Sequence, residues 1–183
     1  MEVVDWTKEN EATGESGKLP AGGYICKITN IEDNADKQYL KIEYEIIDGD
    51  FKGWGEKTAT GGWWRLNFIR SYKSTARGYF KHFLSALEKS NPGKFAVANL
   101  KDDPNILRGL FIGLVVGYEQ YLNSYNEVKE RLYVTDTVAG QDIRNGNFTV
   151  PELKVLKDAA PKFDTVDKES NSGSFTPDDQ LPF

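Results

Sequence analysis

Apolar and polar residues alternate with a period of two between Gln38 and Asp48. One side of the alternation holds Leu40, Ile42, Tyr44 and Ile46, and the other holds Tyr39, Lys41, Glu43 and Glu45. Because successive side chains of a strand point to opposite faces, the pattern predicts a strand that buries one face only. Runs rich in β-branched and aromatic residues predict a strand before it, over Tyr24–Ile31, and a strand after it, over Trp54–Arg70.

A helix and two more strands are predicted in the second half of the chain. Apolar residues recur at helical spacing within Thr75–Lys89, and Asn91-Pro92-Gly93 ends this helix. Leu110–Tyr118 is almost continuously apolar, and Val128–Val138 places Lys129, Arg131 and Tyr133 on one face, so both are predicted strands. Three strands, one helix and two strands form the order of a five-stranded Greek-key barrel of the OB type, with its helix between strands 3 and 4. A β-sandwich with one inserted helix would give a similar order.

Composition divides the chain of 183 residues into three parts. Residues 1–18 are polar and predict a flexible arm, 19–157 form the predicted OB domain, and 158–183 form a predicted disordered linker with an acidic tail. The sequence leaves open whether 141–156 belongs to the barrel. No apolar run approaches the ~20 residues that a membrane span requires, so we expect no membrane partner.

Cysteine and histidine usage excludes several classes of site. Cys26 is the only cysteine and His82 the only histidine, so one chain can form neither an internal disulfide nor a zinc site of Cys and His ligands. We therefore expect a reducing cytoplasm, no bound metal and no cofactor. No pattern of catalytic residues stands out, so we expect a protein that is not an enzyme.

Charge is distributed unevenly along the chain. The net charge is −5, yet residues 51–101 hold ten Lys or Arg and two acids, a local excess of about +8. Aromatic residues are interleaved with these cations. Single-stranded nucleic acid offers unstacked bases to rings and phosphates to cations, and each base stack contributes ~1–3 kcal/mol. The block therefore predicts binding of single-stranded nucleic acid.

The block of interleaved rings and cations, together with the outward faces of the neighbouring strands, supplies the candidate binding residues. They are Tyr39, Lys41, Trp54, Lys57, Trp63, Arg65, Arg70, Tyr72, Lys73, Arg77, Lys81, Arg131 and Tyr133. Trp64 and Phe68 share a face with Leu66, which favours a place in the core, whereas Trp63 shares a face with Arg65. Two other classes stay open: a carbohydrate-binding β-sandwich that stacks tryptophans on sugars, and a virion or scaffold protein whose aromatics form a subunit interface.

The last six residues, Asp178-Asp179-Gln180-Leu181-Pro182-Phe183, combine two acids with an apolar end. They resemble the acidic tip of bacterial and phage single-stranded DNA-binding proteins, which close on a run of Asp followed by Ile-Pro-Phe. Here Gln180 replaces an acid and Leu181 replaces the isoleucine. The resemblance implies a segment that recruits replication or recombination proteins through Asp178, Asp179, Leu181, Pro182 and Phe183.

Two internal stretches also resemble a phage-encoded group of small single-stranded DNA-binding proteins. They are Leu19-Pro20-Ala21-Gly22-Gly23-Tyr24 and the stretch from Lys37 to Ile46. The resemblance implies an OB-fold that holds single-stranded DNA on an aromatic and basic surface in the host bacterial cytoplasm. The resemblance does not decide whether the protein forms a homo-oligomer.

Overall fold

A single antiparallel sheet forms the centre of the protein. The computed structural model describes residues 18–58, 66–101 and 103–156. Five strands lie in the order β3-β2-β1-β4-β5, and every neighbouring pair is antiparallel. The strands are β1 Gly22–Asn34, β2 Tyr39–Ile46, β3 Asn67–Ser71, β4 Phe111–Leu122 and β5 Val128–Val138.

The alternation in β2 correctly predicts its two faces. Its apolar members Leu40, Ile42, Tyr44 and Ile46 are buried, while the residues between them are half-exposed. The predicted mainly-β architecture, with one helix between strands 3 and 4, is confirmed at this level. The described strands form one open sheet with β3 and β5 at its edges, whereas a closed barrel would need those two edges to pair.

The main helix, α2, covers the inner face of this sheet. It spans Arg77–Ser90, close to the predicted bounds, and follows a short 3-10 turn at Ser74–Ala76. Phe83, Leu84 and Leu87 are buried against the sheet, and α2 contacts β3, β4 and β5. The helix therefore lies between the two edges of the sheet, and its opposite side faces solvent.

The prediction of a third strand over Trp54–Arg70 is right at its C-terminal end and wrong at its start. A short helix, α1, occupies Trp54–Thr58, and β3 begins only at Asn67. The Glu45 carboxylate on β2 explains the helix, because it accepts hydrogen bonds from the Gly55 and Glu56 amides at 3.0 and 2.8 Å. These amides belong to the first turn of α1, where backbone donors have no partner within the helix.

Residues 141–156 belong to the folded domain. A short helix, α3, spans Gly140–Arg144, and the following residues 147–156, here called the C-terminal strap, lie along β4. The Gln120 amide donates to the Lys154 carbonyl at 2.9 Å, and the Lys154 amide donates to the Tyr118 carbonyl at 3.0 Å. Within the described residues no helix is long and apolar enough to cross a membrane.

Candidate nucleic-acid interface

Tyr39 and Tyr72 lie close along the backbone, where the β1–β2 hairpin approaches the end of β3. Tyr39 on β2 pairs with Ser71 on β3, and the Tyr72 amide donates to the carbonyl of Gln38 at 3.0 Å. The Tyr72 hydroxyl donates to Asp33 at 2.9 Å, and this hydrogen bond raises the pKa of Tyr72 because it favours the neutral phenol. Tyr72 therefore lies on the same face as Leu40 and Asp33, with its hydroxyl held in place, whereas Tyr39 lies on the opposite, outer face of the sheet.

Three cations follow Tyr72 in the chain, one just before α2 and two on its solvent side. Lys73, Arg77 and Lys81 are exposed, and we call them the basic strip. Arg77 and Lys81 lie one helical turn apart and therefore project from the same side of α2. Within the described part of the chain, no acid lies within 4.0 Å of these three cations.

The helix α2 also carries an exposed aromatic ring. Tyr79 is 77% exposed, but it lies two residues from both Arg77 and Lys81 and therefore projects from the opposite side of α2. The neighbouring Phe80 contacts Tyr72 edge-to-face, with ring centroids 6.0 Å apart, so α2 is joined to the hairpin end. The basic strip therefore lies beside the ring of Tyr72, while Tyr39 and Tyr79 project from other faces, and its three cations have no acidic partner among the described residues.

Lys41 and Arg70 offer less charge to a ligand than their sequence positions suggest. Lys41 lies on the outer face of β2, as predicted, but its Nζ is 3.5 Å from the Glu32 carboxylate. Arg70 pairs with Leu40, so it lies on the face that buries the core, with its guanidinium 4.9 Å from the ring centroid of Phe68. Burial lowers the pKa of Arg70, and the negative charge of Asp136 partly opposes that shift.

Arg131 and Tyr133 lie on the outer face of the β4–β5 hairpin, away from the basic strip. The guanidinium of Arg131 is 2.6 Å from the Glu119 carboxylate and 5.2 Å from the ring centroid of Tyr121. Lys154 of the strap contacts the same carboxylate at 3.3 Å and lies 5.8 Å from the ring centroid of Tyr133. Both cations are thus already paired with an acid.

Two candidates near α1 lie at the opposite end of β2 from Tyr39. Trp54 is half-buried and packs against the core, and Lys57 is exposed. The candidates Trp63 and Arg65, the neighbouring Trp64, and the whole acidic tail lie outside the described residues. Leu66 and Phe68 are buried, which confirms the predicted core face of the third strand.

Several contacts of the surface could not be found from the sequence. His82 on α2 lies 3.0 Å from Asp136 on β5, although 53 residues separate them in the chain. Glu119, Tyr121 and Lys154 likewise come together only through the β4–β5 register and the path of the strap. No local pattern marks such pairs, because their spacing is set by tertiary structure.

The described residues contain no group of three or more His, Cys, Asp or Glu side chains that could hold a metal ion. Comparison with known proteins adds no assignment: no protein-family model matches the chain, and no curated protein is significantly similar to it.

Proposed function

We propose that the protein binds single-stranded DNA, largely without sequence preference, through aromatic stacking and phosphate contacts. The observation that carries this proposal is the basic strip of Lys73, Arg77 and Lys81 beside the half-exposed ring of Tyr72, with no acid within ion-pair distance of these cations among the described residues. Flat rings beside free cations suit single strands, because every base has a stacking face and every nucleotide carries a phosphate. Such binding requires no catalytic group, metal or cofactor.

The OB-type barrel is part of this proposal. Arg70 on β3 and Asp136 on β5 lie on opposite edges of the sheet, yet their charges are close enough to interact. His82 on α2 also binds Asp136, so α2 joins the two edges. Because the two edges approach each other, we expect the sheet to curl toward a partly open Greek-key barrel, as OB-folds do. OB-folds bind single strands on the face of strands 2 and 3, where Tyr39 and Lys41 lie.

The biological setting follows from the resemblances in the sequence. A protein that coats single-stranded DNA during phage replication or recombination acts in the host bacterial cytoplasm. Its acidic tail, through Asp178, Asp179 and Leu181-Pro182-Phe183, recruits other replication or recombination proteins. Ending the chain after Ser174 tests this role: binding of replication proteins should be lost while DNA binding stays equal or tightens. A loss of DNA affinity on this truncation would contradict the role of the tail.

Binding of a fluorescent oligo-dT, followed by anisotropy, tests the DNA-binding function directly. We expect saturable binding to oligo-dT, weaker binding to duplex DNA of the same length, and no binding to soluble glycans. The glycan arm separates this proposal from the carbohydrate-binding alternative, which needs rings but no cations between them. Failure to bind oligo-dT at low salt would refute the proposal.

A further inference from the structure

One half-buried carboxylate holds two cations on the outer face of the β4–β5 hairpin. Glu119 Oε1 accepts from Nε of Arg131 at 2.7 Å, and Glu119 Oε2 accepts from Nζ of Lys154 at 3.3 Å. Each cation also lies over a tyrosine ring, Arg131 over Tyr121 and Lys154 over Tyr133. We call these five residues the Glu119 cluster.

Backbone pairing fixes the members of the Glu119 cluster independently of their charges. Arg131 is the cross-strand partner of Glu119 in the β4–β5 ladder, and Lys154 forms a parallel bridge with Glu119. The hydrogen bonds of the Lys154 backbone to Tyr118 and Gln120 keep the strap in place without its side chain. Removing the charge of Glu119 should therefore leave Arg131 and Lys154 near their present positions and change mainly whether they can bind another group.

Glu119 carries its negative charge at neutral pH. Its side chain is only 16% exposed, and that burial raises its pKa. The hydrogen bonds and positive charges of Arg131 and Lys154 outweigh the burial, so the pKa of Glu119 falls below its ordinary value. One fixed negative charge therefore lies between two positive charges, in contrast to the basic strip.

We infer that Glu119 limits the DNA affinity of the β4–β5 face by occupying Arg131 and Lys154, which would otherwise each be free to bind a phosphate. The inference rests on the proposed DNA-binding function. Glu119 acts through these two cations and is therefore a positioning residue. A phosphate that approaches Arg131 must displace the Glu119 carboxylate or is repelled by it. The β4–β5 face therefore contributes less to DNA affinity than its two cations could.

The E119Q variant tests this inference, because glutamine keeps one acceptor oxygen and removes the charge. We expect E119Q to bind oligo-dT roughly two- to fivefold more tightly at low salt, because this factor corresponds to the free energy that an exposed ion pair contributes. The plot of log K against log salt should steepen by about 0.7 for each phosphate newly bound. A structural role alone would shift the unfolding midpoint in urea without changing this slope.

The E152Q variant is the matched control. Glu152 is an exposed residue of the strap with no cation within ion-pair distance among the described residues, so E152Q removes the same charge without releasing a cation. We expect E152Q to leave the salt slope at the wild-type value. Equal slopes for E119Q and E152Q would overturn the inference.

A double-mutant cycle with R131Q checks which cation is released. R131Q should weaken oligo-dT binding less than twofold in the wild-type chain, where Glu119 occupies Arg131, and should cancel most of the gain in the E119Q chain. An equal effect of R131Q in both chains would contradict the role of Glu119.

If the wild-type protein binds oligo-dT with salt dependence and E119Q has the same affinity and the same salt slope, this inference alone fails. If the wild-type protein does not bind oligo-dT, the proposed function and this inference fail together.

Discussion

A glycine on the outer face of the sheet, Gly117, allows the strap to lie close to β4. A Cβ atom added at Gly117 would lie 2.6 Å from Cγ and 3.2 Å from Cβ of Pro151. The pyrrolidine ring cannot move aside easily, so we expect Gly117→Ala to lower the free energy of unfolding by about 1–3 kcal/mol, the usual cost of overpacking. Urea denaturation measures this change.

Gly78→Ala is the control for this glycine substitution. Gly78 lies in α2, and an added Cβ there would meet no atom within 4 Å. Alanine in a helix loses less backbone entropy on folding than glycine, so we expect this change to raise the free energy of unfolding by about 0.5–1 kcal/mol. Equal effects at Gly117 and Gly78 would show that the strap does not pack on β4 as described.

Prediction from sequence was most reliable for residues whose role depends on local alternation. Leu40, Ile42 and Phe68 are buried as their faces predicted, because strand geometry alone decides where such side chains point. Arg70 has no such local signal. Its place on the core face follows from its register with Leu40, and Asp136, whose charge acts on its pKa, lies on a distant strand.

At the scale of elements, four of the five strands and the main helix follow the sequence pattern, whereas the third strand follows it only at its C-terminal end. Composition favoured an extended chain from Trp54 onward, but the Glu45 carboxylate binds the amides of Gly55 and Glu56 and stabilises the short helix α1. A hydrogen bond across ten residues has no periodic signal, so tertiary structure decides this segment.

The strap is a second element that the sequence left open. Its turn residues give no regular period, and it is held by two backbone hydrogen bonds to β4 and by contacts with glycines. Contacts of Pro151 with Gly117 and of Phe148 with Gly23 place it over the centre of the outer face. The strap therefore separates the surface near β2 and β3 from the Glu119 cluster.

At the scale of the whole molecule, the charge of the chain and the charge of the proposed binding surface have opposite signs. The sum is −5, yet residues 51–101 carry a positive excess, and the structure concentrates part of it in the basic strip. Counting charges along the sequence found this block. It could not show that Lys41 and Arg131 are paired with acids whereas Lys73, Arg77 and Lys81 have no acidic partner among the described residues.

The salt dependence of oligo-dT affinity tests the central claim most directly. Each phosphate that a cation neutralises on a single strand contributes about −0.7 to the slope of log K against log salt. We therefore expect a steep slope for the wild-type protein and a slope shallower by about 2 for the triple variant K73Q/R77Q/K81Q. The control K27Q/K52Q/K89Q removes three exposed cations elsewhere and should keep a slope close to that of the wild type. An affinity that is independent of salt, or equal slopes for the two triple variants, would contradict the account.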